Sequence, residues 1–345
     1  MLSWAKRLGL FALARMLTRG RLRILCYHGV WIGPAPHHGD RLFLSAGKFE
    51  QRMALLAEGG YRVLPLSKAV ELLATDCVGA RDVVITIDDA WKGTELHMLP
   101  VLQRFQFAST LYVPTGSVVN EQPVLPVLIG YLLAVARTRG TYDRLVRLVP
   151  DPLPTASMDS SDRMLKWLDS MPAWDEQLNA LRRLGQATDV DVDGLIATEA
   201  FSLMSPLGLQ RALRSGVDVQ LHTHLHTMHD MHAAQVRQEI ETNRTALSSM
   251  LGVNPSSFRH FCYPSGEHDV SIFPVLRDCG VQTATTTEFG MAGPSSNLLA
   301  LPRILDGESM STLEFEARLS GFWTIVRAVR QLLNRRRQSG HAVQA

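Results

Sequence analysis

His222 and His226 stand four residues apart at the end of an alternating apolar and polar run, Val217-Asp218-Val219-Gln220-Leu221. That alternation is the period of a half-buried strand. In a continuing strand the two imidazoles would lie roughly 13 Å apart, too far to share one ion. If the chain curls into a helical turn after His222, positions i and i+4 come within about 5–6 Å. The next residues favour the turn: Ala233 to Leu251 carries Val236, Ile240, Leu247 and Leu251 on one stripe, with Gly252 just past its end. A strand end delivering His-x-x-x-His into a loop is a metal-site pattern. It is equally the pattern of a polar loop rich in histidine, which is the plainer reading of His224, His229 and His232.

A second group supplies the missing chemistry. Val83-Val84-Ile85-Thr86-Ile87 is strongly β-prone and ends in two adjacent carboxylates, Asp88 and Asp89. At the C-terminal end of a buried parallel strand such residues sit on the active-site face. Taken alone, the pair could as well cap the next helix. With the histidines it makes chemical sense. Two neutral imidazoles and one carboxylate hold a divalent metal with positions left open, and the neighbouring carboxylate is free to act as a base on water.

The elements that must position these residues follow a βαβα grammar from Leu22 onward. Strands are expected at Leu22–Tyr27, Tyr61–Leu64, Asp82–Ile87 and Ser109–Val113, separated by helices that begin near Ser45, Ser67 and Thr94. Between residues 120 and 202 the grammar stops. Helical patterns over Val127–Arg137, Met164–Leu168 and Leu178–Leu184 mark an insertion, a lid or a partner surface. Asp189, Asp191 and Asp193 alternate there but lack the glycine and the glutamate of a calcium loop, so a solvated loop is expected. The barrel grammar resumes at Val217, and Leu301-Pro302-Arg303-Ile304 closes it.

Thr86-Ile87-Asp88-Asp89, followed by His222-Thr223-His224-Leu225-His226, resembles the Thr-Phe-Asp-Asp and His-Ser/Thr-x-x-His motifs of the NodB-type polysaccharide deacetylases, carbohydrate esterase family 4. Phe258 to Gly266 is similar to the family's Phe-Ala-Tyr-Pro-x-Gly motif, and Tyr27-His28-Gly29-Val30 to the Tyr-His-x-Val strand that opens one of its branches. The four occur in the family's order and span roughly residues 22 to 305. Two departures stand out. Ala90 replaces a usual glycine, and neither an Asp-x-x-Asp motif nor a late Leu-x-His motif is present.

The resemblance implies a distorted (β/α) barrel of about seven parallel strands, over residues 22–310, with the helical insertion at about 120–202. It implies metal-dependent removal of an acetyl group, foremost from an N-acetylated sugar in a polysaccharide or glycan precursor. O-deacetylation or deformylation of a lipid-linked sugar is the alternative. One divalent metal, zinc by default, would be held by Asp89, His222 and His226, with Asp88 as general base. His28 would be the acid and the Tyr263 backbone N–H an oxyanion donor. Pro264 and Arg303 are expected to bind substrate, although Arg303 also reads as the partner of a carboxylate near the site or as an ordinary surface arginine. Two readings from other classes share the residues: a non-haem iron oxygenase, and a catalytically silent glycan binder. The adjacent Asp88 and the α/β alternation argue against the first, retention of both aspartates and all three histidines against the second.

Composition narrows the partners. The 345 residues are 46% hydrophobic and 20% charged, an ordinary globular balance. Only cations precede Asp40 (Lys6, Arg7, Arg15, Arg19, Arg21, Arg23), and Arg327, Arg330, Arg335, Arg336 and Arg337 come late in the chain with no acid after Glu316. Setting those eleven charges aside turns the net +2 into −9 for the body, which makes it a poor nucleic-acid binder. Residues 1–21 and the 311–345 tail read as basic amphipathic helices. These suit either an anionic membrane surface or packing against the body. The four cysteines show no framework spacing, and Cys26 and Cys262 read as small buried hydrophobes. With no span-length apolar stretch and no signal-peptide core, the expected location is the cytoplasm, peripheral on the inner membrane face.

Overall fold

The computed structural model describes residues 1–150 and 159–330. Strands β1 (Arg23–Tyr27), β2 (Gly29–Val30), β3 (Phe43–Leu44), β4 (Arg62–Val63) and β5 (Asp82–Ile87) come first. They are followed by β6 (Thr110–Val113), β7 (Asp218–Leu221), β8 (His260–Cys262), β9 (Thr283–Phe289) and β10 (Leu301–Leu305). The main sheet runs β1-β10-β9-β8-β7-β6-β5-β4, and β1 also pairs with β5 over Arg23 to Tyr27. That second pairing closes seven strands, all parallel, into a barrel with β4 appended outside β5. β2 and β3 form a small separate pair.

Period two decides what each strand residue does. Leu25, Tyr27, Ile85, Ile87, Leu111, Val219, Leu221, Phe261 and Ile304 belong to the large core shared with the surrounding helices. The alternate positions Ile24, Val84, Tyr112, Cys262 and Leu301 form a second cluster. Further along the same barrel, toward the C-terminal ends of the strands, the alternate set turns polar: Thr86, Asp88, Gln220, His222 and Arg303 are all buried. A parallel barrel whose interior changes from apolar to charged along its axis has its chemistry at the C-terminal mouth.

Several expected elements differ in detail. The helix expected from Thr94 begins as a π-turn, Thr94–Met98, before the α-helix Leu99–Phe105. β9 is the longest strand, running from Thr283 to Phe289. The insertion carries helices Leu125–Arg139, Tyr142–Arg147, Ser160–Asp169, Trp174–Thr188 and Val192–Ala197 around a core of its own, including Leu128, Leu132, Leu181 and Leu184. Its aspartates serve the fold: Asp191 caps Val192–Ala197 by accepting from the Gly194 N–H, and Asp193 pairs with Arg182. Trp31, three residues after His28, pins the insertion to the barrel mouth. Its ring lies 5.7 Å from Tyr131, 5.6 Å from Phe201 and 5.4 Å from Phe43. Of the C-terminal tail, residues 331–345 lie outside the described residues.

Candidate metal and catalytic site

Asp89, His222 and His226 offer ligand atoms that all lie within 4.8 Å of one another. Asp89 Oδ1 is 3.2 Å from His222 Nε2 and 3.1 Å from His226 Nε2. The histidines converge as the sequence requires, but not through a helical turn. The chain bends sharply instead, with Thr223 at φ 62° and His226 at φ 57°, and this brings the ring centroids to 4.8 Å. Glu239 holds the bend by accepting from the N–H groups of His224 and Leu225. His224 turns away to Thr115 Oγ1, 2.9 Å distant, which fits a loop residue rather than a ligand.

Each donor is oriented from behind, as metal-binding groups usually are. His222 Nδ1 faces the Cys262 carbonyl at 2.8 Å, which turns Nε2 toward Asp89. The His222 N–H donates to Asn243, whose amide in turn donates to the Val113 carbonyl and Thr115. Trp91 Nε1 donates to the second Asp89 oxygen at 2.9 Å. Burial disfavours the charged form of Asp89, but the His226 and His222 rings outweigh it and hold the carboxyl well below its usual range. Two imidazoles and an ionised carboxylate, nearly buried and fixed in direction, fit a divalent ion of the zinc type. Asp89 and Ala90 both sit in the left-handed region, at φ 72° and 60°. A glycine at position 90 would adopt that geometry without strain, so Ala90 holds the same turn at some cost.

Asp88 lies beside this set with a different partner. Both its oxygens take donors from Arg303 at 2.7 Å. The Cys26 and Cys262 thiols stand 3.6 and 3.4 Å from Oδ2, and His28 Nε2 is 3.7 Å away. The cysteines are buried, as their strand positions require, yet they touch the charged centre rather than packing as plain hydrophobes.

Residues 170–284 match the family model described as polysaccharide deacetylase. Over that stretch the chain is similar to the polysaccharide deacetylases. The match takes in both histidines and the Tyr263 segment, while Asp88 and Asp89 precede it. Solved structures share the barrel at low identity. The Streptococcus pyogenes deacetylase PplD in complex with acetate is 16% identical, with a TM-score of 0.58, over 87% of this chain and 98% of its own. IcaB from Ammonifex degensii is 18% identical, with a TM-score of 0.54, over 87% and 97%. A polysaccharide deacetylase from Bacillus cereus is 17% identical, with a TM-score of 0.53, over 87% and 69%. No curated protein sequence matches the chain.

Two expected roles do not survive this geometry. Arg303 is fully buried, with donors on Thr86, Asp88 and the Thr286 carbonyl, so it has no face for a substrate. It is the counter-charge of Asp88. Burial alone would raise the Asp88 pKa, but the guanidinium brings it down to about 2. A depressed carboxylate adds stability that is fully present above the ordinary range and is lost only as pH falls toward about 2. The Tyr263 N–H, expected to face an oxyanion, donates to the Thr285 carbonyl at 3.2 Å and is spent within the sheet. Its hydroxyl donates to the Leu299 carbonyl. The Ser265 N–H, two residues on, donates none of the hydrogen bonds described. Ser265 has φ 55°, and Gly266 is next at φ 75°, where a Cβ would meet Thr287 Oγ1 at 2.1 Å. That crowding explains the glycine of the motif. Pro264 is buried beneath this loop.

The Asp88–Arg303 pair gives a direct test. Arg303→Met should destabilise the protein by about 3–5 kcal/mol, because it leaves a buried carboxylate uncompensated. Asp88→Leu combined with Arg303→Met should recover most of that in denaturant unfolding. A single-variant cost too small to measure would mean that Asp88 has another counter-charge.

Proposed function

We propose that this chain is a metal-dependent deacetylase that hydrolyses the acetyl group of an N-acetylated sugar within a polysaccharide or glycan precursor. The observation that carries the reading is the convergence of Asp89, His222 and His226 beside a separately held Asp88 and His28. Zinc suits the donor set. When bound, the ion supplies a Lewis acid that polarises the acetyl carbonyl and makes water more acidic. The chain's own groups do the rest. Asp88, kept ionised by Arg303, accepts the proton of the attacking water. The Ser265 N–H, in place of Tyr263, is the amide left on that loop to meet charge developing on the carbonyl oxygen. His28 protonates the departing sugar nitrogen; its Nε2 lies 3.7 Å from Asp88 Oδ2, so base and acid are direct neighbours. The Trp31 clamp places the helical insertion beside His28, where it can shape access for the sugar chain. The cytoplasmic placement belongs to the same proposal, supported by the exposed free thiol of Cys77.

Acetate release from peptidoglycan, an N-acetylated exopolysaccharide and a lipid-linked amino sugar tests the activity and ranks the acceptors. A protein that binds zinc and glycan yet releases acetate from none of them is a silent binder. The role of His28 has its own test. His28→Ala should keep metal and fold, and lose turnover on amide substrates far more than on activated aryl esters, whose leaving groups need no acid. Equal losses on both substrates would remove His28 from the proton-transfer step.

A further inference from the structure

The segment before β1 folds as two short helices, Leu2–Arg7 and Leu10–Leu17, turned at Gly9 with φ 73°. One face is spent on the body. Ala5, Phe11 and Ala14 are buried, the Phe11 and Phe322 rings lie 5.4 Å apart, and Lys6 pairs with Glu316 at 2.6 Å. The Thr18 hydroxyl reaches the Ser320 carbonyl, so these contacts follow the helix Thr312–Leu319 to its end.

Among the described residues, the opposite face has no protein on it. Trp4, Leu8, Leu13, Met16 and Leu17 are between 50% and 72% exposed. Along the second helix Leu10, Leu13 and Leu17 fall at i, i+3 and i+7, while Phe11 and Ala14 hold the buried side. A helix apolar on both sides belongs between two apolar phases, and here the protein provides one of them. The charge that the segment itself carries has a single sign, with Asp76 the acid that lies beside it, at Gly20. Arg7, Arg19 and Arg21 are exposed, Arg15 is half-buried, and no acid precedes Asp40. A symmetric contact with a second copy would set these cations against themselves. An anionic lipid surface offers both the apolar phase and the counter-charge.

We propose that this helical hairpin seats the protein in the headgroup layer of an anionic bilayer, with Trp4, Leu8, Leu13, Met16 and Leu17 among the upper acyl chains and the arginines at lipid phosphates. Among the described residues no helix is long and apolar enough to cross a membrane, so this contact is peripheral. It does not depend on the metal site.

Sedimentation of the full chain with vesicles tests it. Vesicles of phosphatidylcholine with one-third phosphatidylglycerol (roughly) should take up the protein at least about tenfold better than phosphatidylcholine alone, and added salt should weaken the uptake. Leu13→Asp with Met16→Asp, and separately Arg7→Gln with Arg19→Gln, should each cut uptake by about tenfold or more while leaving thermal unfolding unchanged. Equal uptake by neutral and anionic vesicles, or undiminished uptake in both variants, overturns the proposal. So does a wild-type dimer that Leu13→Asp with Met16→Asp converts to monomer, since the face would then belong to a second copy.

Discussion

Replacing His226 or His222 with alanine is expected to cost the protein its metal and its acetyl-releasing activity together. Either change removes one of three protein donors from a set in which all ligand atoms lie within 4.8 Å. Without the ion, water would lose the acidity that a bound metal lends it, so a rate loss of at least a thousandfold (roughly) is expected. His226 makes the cleaner variant. Its side chain is 41% exposed, against 2% for His222, so truncation leaves little cavity and separates loss of metal from loss of fold. Elemental analysis beside acetate release reads both effects. A His226→Ala protein with stoichiometric metal and full turnover would remove His226 from the ligand set.

Asp88→Asn should do the reverse: keep the metal and lose about 10²–10⁴ of the rate, the usual share of a positioned base. The size of the loss is informative because Asp88, in the proposed role, would be an unusual base. Lowered to about 2 by Arg303, it is ionised at neutral pH and has little affinity for a proton. It can serve only where its partner water is already acidified, and this ties the two adjacent aspartates into one device. The substitution also leaves the Arg303 guanidinium buried and half-satisfied, so the unfolding midpoint should drop as well. Measuring turnover well below that midpoint keeps the two effects apart. If Asp88→Asn loses the metal while Asp89→Asn retains it, the roles of the two aspartates are exchanged.

What the sequence made legible was chemistry carried by strand ends. Asp88, Asp89, His222 and His28 each come after an apolar run whose period fixes both the strand and the side on which the next residue emerges. The groups that orient them were hidden for physical reasons. Arg303 was legible as a carboxylate's partner only among other readings, because it and Asp88 are 215 positions apart and meet through β10 and β5 both flanking β1. Asn243 and Glu239 lie within the helix Ala233–Leu251, where polar residues usually mark a solvated face. They point into the site instead. Trp91 stands two residues from its partner Asp89, but their contact depends on the left-handed backbone at Asp89 and Ala90, which residue type alone does not announce. The Tyr263 amide failed as an oxyanion donor for a similar reason. Whether a strand-end N–H is free depends on register with the neighbouring strand, and the pairing of Cys262 with Thr285 hands the Tyr263 N–H the Thr285 carbonyl.

The pairing of β1 with both β10 and β5 makes the barrel a ring with no first strand. His28, Asp88, His222 and Arg303 keep their neighbours under any rotation of that ring, so the active mouth depends on cyclic order alone. The two ends of the fold already lie side by side, Phe11 against Phe322 and Lys6 against Glu316. A chain joined there and opened within a surface loop of the insertion would begin and end elsewhere, yet would circle the same charged mouth. Where such a protein starts is thus a matter of genetic bookkeeping, and a histidine at the front of one chain can stand in the same place as a histidine at the back of another.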